Sequence, residues 1–301
     1  MRRRLAAPVI SIGNLTVGGS GKTPLAAEIA RALLDMRERP SILSRGYARK
    51  IRDEGVVIVS DGRRVLEGVE RSGDEPQMLA RAVSGAAVLV SGSRYAAGRI
   101  AESRLGCTVH VLDDGFQHFD LARDIDLLVL PDAGEDTRTL PFGRFREPLD
   151  AASAADAFFV EEGIGRADLV DNGRPLFTFT RRLGGPRPDR PAFAFAGIAK
   201  PSRFFNDLEK AGWTLAGRRS FGDHHHYSGS ELDEVARAAL SSGAAVILTT
   251  EKDLARLGSD PGTGTGVRPQ ILAVPLEIDM DPAFRPWLAE RLRAIRAAGE
   301  Q

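Results

Sequence analysis

The sequence comprises 301 residues, of which 43% are hydrophobic and 6% aromatic, a composition typical of a soluble α/β protein with one large or two medium domains. Its 41 acidic and 41 basic side chains balance, and no basic stripe with aromatic stacking positions is evident, so we expect no nucleic-acid partner. The single cysteine, Cys107, excludes an intrachain disulfide framework. No apolar signal-peptide core follows the opening Met-Arg-Arg-Arg, and no apolar stretch has the length of a membrane span.

The first half alternates predicted strands with predicted helices, which is the pattern of a parallel sheet covered by helices on both faces. The predicted strands are Ala7–Leu15, Pro40–Leu43, Val56–Val59, Ala87–Val90, Val109–Leu112 and Ile125–Leu130. One predicted helix begins at Pro24, and the others are Glu75–Val83 and Tyr95–Leu105. Gly134–Asp150 shows neither the apolar spacing of a helix nor that of a strand, and it is rich in Gly, Pro and Arg. This pattern predicts a functional loop.

A segment rich in proline and glycine, Leu176–Pro191, predicts an inter-domain connection. A second α/β pattern follows it. Its predicted strands are Ala192–Ala196, Ala244–Leu248 and Ile271–Leu276, and its predicted helices are Ser202–Ala211, Ser230–Leu240 and Pro282–Ala297. The alternation of the two element types therefore continues to the end of the chain.

The segment Thr16–Thr23 lies between a predicted strand and a predicted helix, as a Walker A phosphate loop does. The residues that would bind the nucleotide are Thr16, Gly18, Gly19, Ser20, Gly21, Lys22 and Thr23. Glycines let backbone N–H groups turn toward the phosphates, Lys22 would reach the β- and γ-phosphates, and the Thr23 hydroxyl would bind Mg²⁺. Thr16 stands where the strict pattern has glycine, and the alternative is a turn that binds nothing. The Gly-Lys-Thr ending favours a nucleotide site.

Val109–Gly115 has the form of a Walker B element, an apolar strand that ends in Asp113 and Asp114. The carboxyl edge of a parallel sheet is where nucleotide phosphates lie, and Mg²⁺ prefers a few carboxylates together with water. The alternative is an Asp-Gly turn without a ligand. Beside a phosphate loop, the pattern favours a magnesium site.

These patterns together predict an α/β fold of the P-loop NTPase type, in which a mostly parallel sheet is flanked by helices. We expect residues 1–185 to form a P-loop nucleotide-binding domain and residues 186–301 to form a second, smaller α/β domain. The expected ligands are a nucleoside triphosphate and Mg²⁺.

Several short motifs indicate which family of P-loop proteins the sequence resembles. They are Val9–Pro24 (Val-Ile-Ser-Ile-Gly-Asn-Leu-Thr-Val-Gly-Gly-Ser-Gly-Lys-Thr-Pro), Ser44–Tyr47, Gly73–Pro76, Asp113–His118, Arg146–Pro148, Phe195–Ile198, Asp223–His225 and Thr250–Asp253. In this order they closely resemble the tetraacyldisaccharide 4'-kinases, the lipid A 4'-kinases, which also have Thr at the leading position of the loop. The resemblance runs from about residue 8 to about residue 260.

The resemblance implies that Asp74 and His224 are the catalytic pair that acts on a sugar hydroxyl, and that Glu147 lies near the magnesium with Arg146 near phosphate. The residues alone leave alternatives open. Asp74 could simply cap a helix, and Arg146 or Glu147 could make a surface ion pair. Asp223–His226 could hold a metal, but for His225 and His226 a polar surface turn is favoured. The choice between His224 and His225 also stays open. Glu251–Asp253 resembles a guanine-binding Lys-x-Asp motif, but because the second domain resembles the same kinases we interpret it as structural or hinge-related, with ATP as the preferred nucleotide.

The function implied by the resemblance is ATP-dependent phosphorylation of the 4'-hydroxyl of tetraacyldisaccharide 1-phosphate in lipid A biosynthesis, with Mg²⁺ as the metal. We expect an acylated glucosamine disaccharide 1-phosphate as partner, a monomer, and peripheral contact with the cytoplasmic face of the inner membrane, without a transmembrane helix in this chain. The alternatives are a P-loop GTPase of metallochaperone type and a nucleotide-gated binding module that turns over negligibly. An acceptor screen separates the kinase from both.

Overall fold

The structure is a computed structural model that describes residues 2–17, 21–46, 49, 51, 55–132, 134, 136–165, 173–185, 190–257 and 269–299. The chain divides into two units. The larger consists of Met1–Thr180 and Ile278–Gln301, and the smaller is Arg181–Glu277. None of the described helices combines the length and the hydropathy that a membrane span needs.

The described elements alternate along most of the chain, as the sequence pattern predicts. The strands are β1 (Val9–Asn14), β2 (Pro40–Ser44), β3 (Val57–Asp61), β4 (Ala87–Val90), β5 (Val109–Asp113), β6 (Ile125–Val129), β7 (Ala157–Glu161), β8 (Leu176–Leu183), β9 (Ala192–Ala196), β10 (Leu215–Ser220), β11 (Val246–Thr250), β12 (Gln270–Val274) and β13 (Leu276–Met280). The helices are α1 (Lys22–Asp35), α2 (Val69–Ser72), α3 (Asp74–Ala82), α4 (Arg94–Leu105), α5 (Pro201–Lys210), α6 (Gly229–Ser241), α7 (Glu251–Arg256) and α8 (Phe284–Gly299).

The larger unit is built on a nine-stranded sheet in the order β13-β8-β7-β6-β1-β5-β2-β4-β3. Its central pairs are parallel, and β3 runs antiparallel to β4. Every residue of β1 and β5 is buried, as expected for strands covered on both faces. The register pairs Ile12 with Asp113, so the residues that follow β1 and the end of β5 meet at one edge of the sheet.

The apolar stripe of α1 explains its place beside this edge. Leu25, Ile29 and Leu33 recur at helical spacing and are fully buried in the main core of the larger unit. The helix packs against β1, β2 and β5, and against α3. The Thr23 hydroxyl contacts Asp113, which places the start of α1 at the end of β5.

The smaller unit has a four-stranded parallel sheet in the order β10-β9-β11-β12. Phe204, Phe205 and Leu208 of α5 are buried on one side of it, and Val235 and Ala239 of α6 belong to a second buried cluster. Because β9 and β11 are parallel neighbours, the residues that follow Ala196 and Thr250 lie at the same edge.

The structure corrects the predicted organisation in two places. The segment Leu176–Pro191, predicted as a connection, contains β8 as far as Leu183, where buried Phe177 and Phe179 alternate with more exposed residues. The final helix was predicted as part of a second domain, residues 186–301, but α8 belongs to the larger unit. The physical reason is that its apolar side chains, led by Phe284, are buried in the core of that unit.

Candidate nucleotide and phosphoryl-transfer site

The predicted phosphate loop follows β1 and leads into α1. Thr16 is buried just beyond β1, and Gly21 stands at the N-cap of α1 with φ of 79°. Glycine adopts this left-handed conformation without the steric cost of a Cβ atom, so the chain can turn into the helix immediately before Lys22. The intervening Gly18–Ser20, predicted to bind phosphate, lie outside the described residues.

Lys22 is the first residue of α1, and its side chain is only 10% exposed. Its Nζ donates to Oδ1 of Asn14 at 2.5 Å and lies 2.7 Å from Oδ1 of Asp114. The Asn14 amide nitrogen donates to Oγ1 of Thr16 at 2.9 Å, which orients the carbonyl oxygen toward Lys22. A nearly buried ammonium requires such partners, and Asp114 supplies the negative charge that a phosphate oxygen can also supply.

Asp113 ends β5 in a fully buried position beside the start of α1. The Thr23 hydroxyl donates to its Oδ2 at 3.3 Å, whereas its Oδ1 has no hydrogen-bond partner among the described residues. Burial, followed by the charges of Glu75 and Asp114, raises the pKa of Asp113 to about 7, while Lys22 and Thr23 oppose that rise. A buried carboxylate oxygen without a partner next to a threonine hydroxyl fits a magnesium ligand set.

Asp114 follows β5 in the left-handed conformation, with φ of 54°. Besides Lys22, it accepts from Nη1 of Arg146 at 2.9 Å. Burial alone would raise its pKa, but Lys22 and Arg146 outweigh burial and hold the pKa of Asp114 below its ordinary value. Asp114 is therefore the charged partner of two cations, and Asp113 is the carboxyl group that burial disfavours as an anion.

The predicted functional loop Gly134–Asp150 reaches the phosphate loop through its backbone. The amide of Val17 donates to the carbonyl of Arg144 at 2.8 Å, and the amide of Arg146 donates to the carbonyl of Leu15 at 2.6 Å. These bonds explain how Arg146, distant in sequence, arrives beside Asp114. Glu147 follows it, and its Oε1 is buried without a hydrogen-bond partner among the described residues.

Asp74 is the first residue of α3 and is 7% exposed. Gly73 occupies the N-cap with φ of 85°, so the alternative in which Asp74 serves as the helix cap is wrong. The charge of the neighbouring Glu75 contributes to the raised pKa of Asp113, which shows that the start of α3 lies close to the end of β5. The buried Asp74 thus begins a helix that starts beside the phosphate site.

His224, the predicted partner of Asp74, belongs to the smaller unit. It adopts a left-handed backbone with φ of 57°, and its Nδ1 lies 3.3 Å from Nη2 of Arg256. The adjacent His225 is engaged differently: its Nε2 lies 3.0 Å from Oε1 of Glu231 and its ring stacks on Phe221. The two histidines therefore have distinct surroundings that the sequence does not distinguish.

Sequence reasoning missed four polar residues of the larger unit. Asn14 contacts Lys22, and Gln117 donates to the Asn14 carbonyl at 3.0 Å and lies 3.3 Å from Arg146. Arg94 is 5% exposed, and burial followed by the charge of Arg45 lowers its pKa to about 10. Glu75 was noted only as part of its motif. Asn14 and Gln117 lie inside the motifs Val9–Pro24 and Asp113–His118, and this position was the sequence feature that could have identified them. Arg94 lies in no such motif.

Comparison with known proteins identifies the family. A sequence model of the family described as tetraacyldisaccharide-1-P 4'-kinase, LpxK, matches residues 1–293. The chain belongs to the tetraacyldisaccharide 4'-kinase family. The chain is 41% identical over 276 residues to a tetraacyldisaccharide 4'-kinase of Desulfotalea psychrophila, covering 84% of this chain and 79% of that protein. It is 40% identical over 302 residues to that of Rhodopseudomonas palustris, covering 96% and 85%.

A solved structure gives the same result at the level of the fold. The chain resembles LpxK from Aquifex aeolicus, described as an apo form in complex with ATP, with a TM-score of 0.77 and 30% sequence identity. The match covers 97% of this chain and 90% of that one. The predicted family and the predicted α/β fold of P-loop type are confirmed.

The metallochaperone-type GTPase is not favoured by these findings. Within the described parts of the chain, no three or more His, Cys, Asp or Glu side chains are grouped as a metal site. The contacts of His224 and His225 also lead to different partners, Arg256 and Glu231. Their geometry therefore gives no support to the alternative in which Asp223–His226 holds a metal.

Proposed function

We propose that this chain is a kinase that transfers the γ-phosphate of ATP to the 4'-hydroxyl of a tetraacyldisaccharide 1-phosphate, a step of lipid A biosynthesis. The observation that carries the proposal is the meeting of Lys22, Asp113, Asp114 and Arg146 at one edge of the sheet, in a chain that matches the kinase family over residues 1–293. Catalysis of phosphoryl transfer is mainly positioning and charge stabilisation, and this cluster supplies both.

On the nucleotide side, the phosphate loop that includes Thr16 and Gly21 would surround the phosphates with backbone N–H groups. Lys22 would exchange its contact with Asp114 for a phosphate oxygen while Asn14 keeps its Nζ in place. Arg146, held by Asp114 and the backbone of Leu15, is near enough to the loop to stabilise charge on the transferred group.

The residues present fit a magnesium ion. The unpartnered Oδ1 of Asp113 and the hydroxyl of Thr23 would hold it, and Asp114 and the buried Oε1 of Glu147 are the further oxygen donors we assign to it. When bound, Mg²⁺ neutralises charge on the β- and γ-phosphates. The Thr23 hydroxyl is oriented toward Asp113.

On the acceptor side, Asp74 would take the proton of the 4'-hydroxyl as the oxygen bonds to the γ-phosphorus. The bond between that phosphorus and the bridging oxygen breaks, ADP leaves, and the product carries a new phosphate ester. Asp74 is suited to this role because it is nearly buried and begins a helix next to the phosphate site. His224 is proposed as the imidazole partner that orients the carboxylate.

The proposed acceptor is an acylated glucosamine disaccharide 1-phosphate, which resides in a bilayer. We infer peripheral contact of the chain with the cytoplasmic face of the inner membrane, where ATP is present. We also propose that the protein acts as a monomer.

The test follows radiolabelled γ-phosphate from ATP and Mg²⁺ into a tetraacyl disaccharide 1-phosphate presented in detergent micelles. The expected product is a doubly phosphorylated lipid, formed by the wild type and lost in Lys22→Ala. A disaccharide already phosphorylated at the 4'-hydroxyl serves as the matched control acceptor and should gain no label.

Release of labelled phosphate without labelled lipid would contradict the proposal and would direct attention to nucleotide hydrolysis, with GTP compared against ATP. Sedimentation of the protein with vesicles of zwitterionic or anionic lipid tests the membrane contact separately. Protein that stays in the supernatant with both would contradict peripheral binding.

A further inference from the structure

A buried hydrogen-bond network connects three motifs of the smaller unit. Asp253 is fully buried in the first turn of α7, at the carboxyl end of β11. Its Oδ2 accepts from the amide of Gly197 at 3.0 Å and from the Thr250 hydroxyl at 2.7 Å. Its Oδ1 accepts from the Tyr227 hydroxyl at 2.9 Å and from Nη1 of Arg256 at 3.0 Å. A carboxylate that accepts hydrogen bonds on both oxygens has a fixed orientation, and it fixes the groups that donate to it.

Arg256 is the second member of this network, and its side chain is 1% exposed. Its Nη1 donates to Asp253 and also to the Gly197 carbonyl at 2.7 Å. Two acceptors therefore hold Nη1, and because the guanidinium is planar this restricts the direction of the second terminal nitrogen, Nη2. That nitrogen, Nη2, lies 3.3 Å from Nδ1 of His224.

The His224 ring is presented to Arg256 by its backbone. A φ of 57° at a non-glycine residue is uncommon, and the Asp223 carboxylate accepts the His224 amide at 3.0 Å in this turn. Oδ2 of Asp223 lies 3.9 Å from Nε2 of His224, beyond hydrogen-bond distance. The His225 ring instead contacts Glu231, so of these two adjacent histidines Arg256 contacts His224.

The chemistry of the contact decides the position of the ring proton. A guanidinium group only donates hydrogen bonds, so Nδ1 of His224 has to accept. A neutral imidazole that accepts at Nδ1 carries its hydrogen on Nε2. From this geometry we infer that Asp253 and Arg256 are positioning residues, which hold His224 in the neutral tautomer with hydrogen on Nε2 and fix the direction of that N–H group.

This inference rests on the proposed function for its consequence, because His224 is there the partner of a catalytic carboxylate. An N–H group at Nε2 donates to a carboxylate, whereas the other tautomer would present a lone pair and repel it. The network thus gives Thr250–Asp253 a role in setting the chemical form of a histidine. The competing explanation is an ion pair that only ties α7 to β9.

Ring-¹⁵N-labelled histidine distinguishes the two explanations by NMR. The variants are Arg256→Met, Arg256→Lys and Val235→Ala, with His224→Gln used to assign the His224 signals. We expect the wild type to show an unprotonated Nδ1 and a protonated Nε2, and Arg256→Met to show an average of the two tautomers. Val235→Ala removes a fully buried side chain of the same unit and should keep the wild-type tautomer despite a lower melting temperature.

A hydrogen on Nδ1 in the wild type would overturn the inference, and so would an unchanged His224 spectrum in Arg256→Met. In the kinase assay we expect Arg256→Met to lose on the order of a hundredfold in kcat, with little change in KM for ATP. Arg256→Lys keeps the cation and should recover part of the loss. A kcat of Arg256→Met equal to that of Val235→Ala would leave only the structural explanation.

The two proposals fail in different ways. If His224→Gln retains wild-type kcat, the catalytic role proposed for His224 is wrong, while the NMR result still decides whether Arg256 sets the tautomer. If His224→Gln is inactive but Arg256→Met is fully active with an unchanged spectrum, the proposed function stands and the positioning role is wrong.

Discussion

At the scale of single residues, Lys22 shows how a nearly buried ammonium group can be stabilised and still be free to bind a phosphate. Its ammonium group contacts Asn14 and Asp114, and Asp114 also holds Arg146. The carboxylate therefore keeps one cation after Lys22 moves to a phosphate. The Asn14 side chain is uncharged and does not compete with a phosphate for Lys22, so it can orient Lys22 both when Lys22 contacts Asp114 and when it contacts a phosphate.

We predict that Lys22→Ala loses on the order of a hundredfold or more in kcat, because a preorganised charge on the transferred phosphate is removed. The fold should persist, since Asp114 retains Arg146. Steady-state kinetics and a melting curve measure the two effects. Lys210→Ala, the same change at an exposed position of α5, is the control and should remain active. Near-normal turnover of Lys22→Ala would refute its assigned role.

Gly197 shows a close approach that only glycine permits. A Cβ atom there would lie 2.6 Å from the Tyr227 hydroxyl and 3.1 Å from Oδ1 of Asp253. We predict that Gly197→Ala destabilises the smaller unit by about 1–3 kcal/mol. Removal of the hydroxyl in Gly197→Ala/Tyr227→Phe should restore part of the stability, because it removes the nearest clash.

Chemical denaturation of both variants measures the prediction. Gly222→Ala is the matched control, since a Cβ at Gly222 meets no atom within 4 Å. Equal stability of Gly197→Ala and Gly222→Ala would show that the packing at Gly197 is not tight.

At the scale of elements, β5 carries two different groups on one strand. Asp113 stands at its end near the phosphate loop, and His110 is fully buried in its middle. Nδ1 of His110 lies 2.7 Å from the Ser41 hydroxyl, and Nε2 lies 3.5 Å from Glu102, which also accepts the amide of Ala6 at 2.7 Å. The middle of β5 is thus tied to α4 and to the segment before β1.

This burial predicts a pH dependence of stability. Burial lowers the pKa of His110 below its ordinary value of 6.5, although Glu102 opposes the shift. Below that value the unfolded chain binds a proton that the folded chain resists, so the free energy of unfolding falls as pH decreases from about 7 to about 5. His110→Gln should show a shallower fall over this range.

Denaturation at a series of pH values measures the two slopes. His226→Gln makes the same change at an exposed position and should keep the wild-type slope. Parallel curves for the wild type and His110→Gln would show that the buried imidazole does not contribute.

At the scale of the whole molecule, the chain leaves the larger unit after Thr180 and returns to it at Ile278. The returning helix α8 places Phe284 against Phe159 and Phe177, with ring centroids 4.9 and 5.2 Å apart. A core that includes side chains of α8 makes the stability of the larger unit depend on this helix.

We predict that Phe284→Ala destabilises the larger unit by about 3–5 kcal/mol, because it removes a fully buried ring. Hydrogen exchange measured by mass spectrometry should show faster exchange in β7 and α8 and unchanged exchange in β9 and β11. Phe195→Ala, the same change in the core of the smaller unit, should give the opposite pattern. Uniformly faster exchange in both units would contradict independent cores.

The sequence by itself determined the features that reside in short segments. The apolar strands, the Gly-Lys-Thr ending and the paired aspartates each follow from local spacing, and the order of the motifs identified the family. The sequence did not predict strand β8, because prolines and glycines follow it closely, and it did not predict that α8 packs in the core of the larger unit. Periodicity marks an apolar helix face but not the unit that buries it.

Tertiary structure alone decided which side chains meet. Asp253 receives the Gly197 amide across 56 residues, and Gln117 reaches the Asn14 carbonyl across 103. Such contacts follow from parallel strands that end at the same edge, and neither composition nor spacing specifies which strands are neighbours. The same reason explains why the sequence favoured His224 by its family position but left the choice against His225 open: the fold of the smaller unit brings the Arg256 guanidinium to Nδ1 of His224, whereas His225 contacts Glu231.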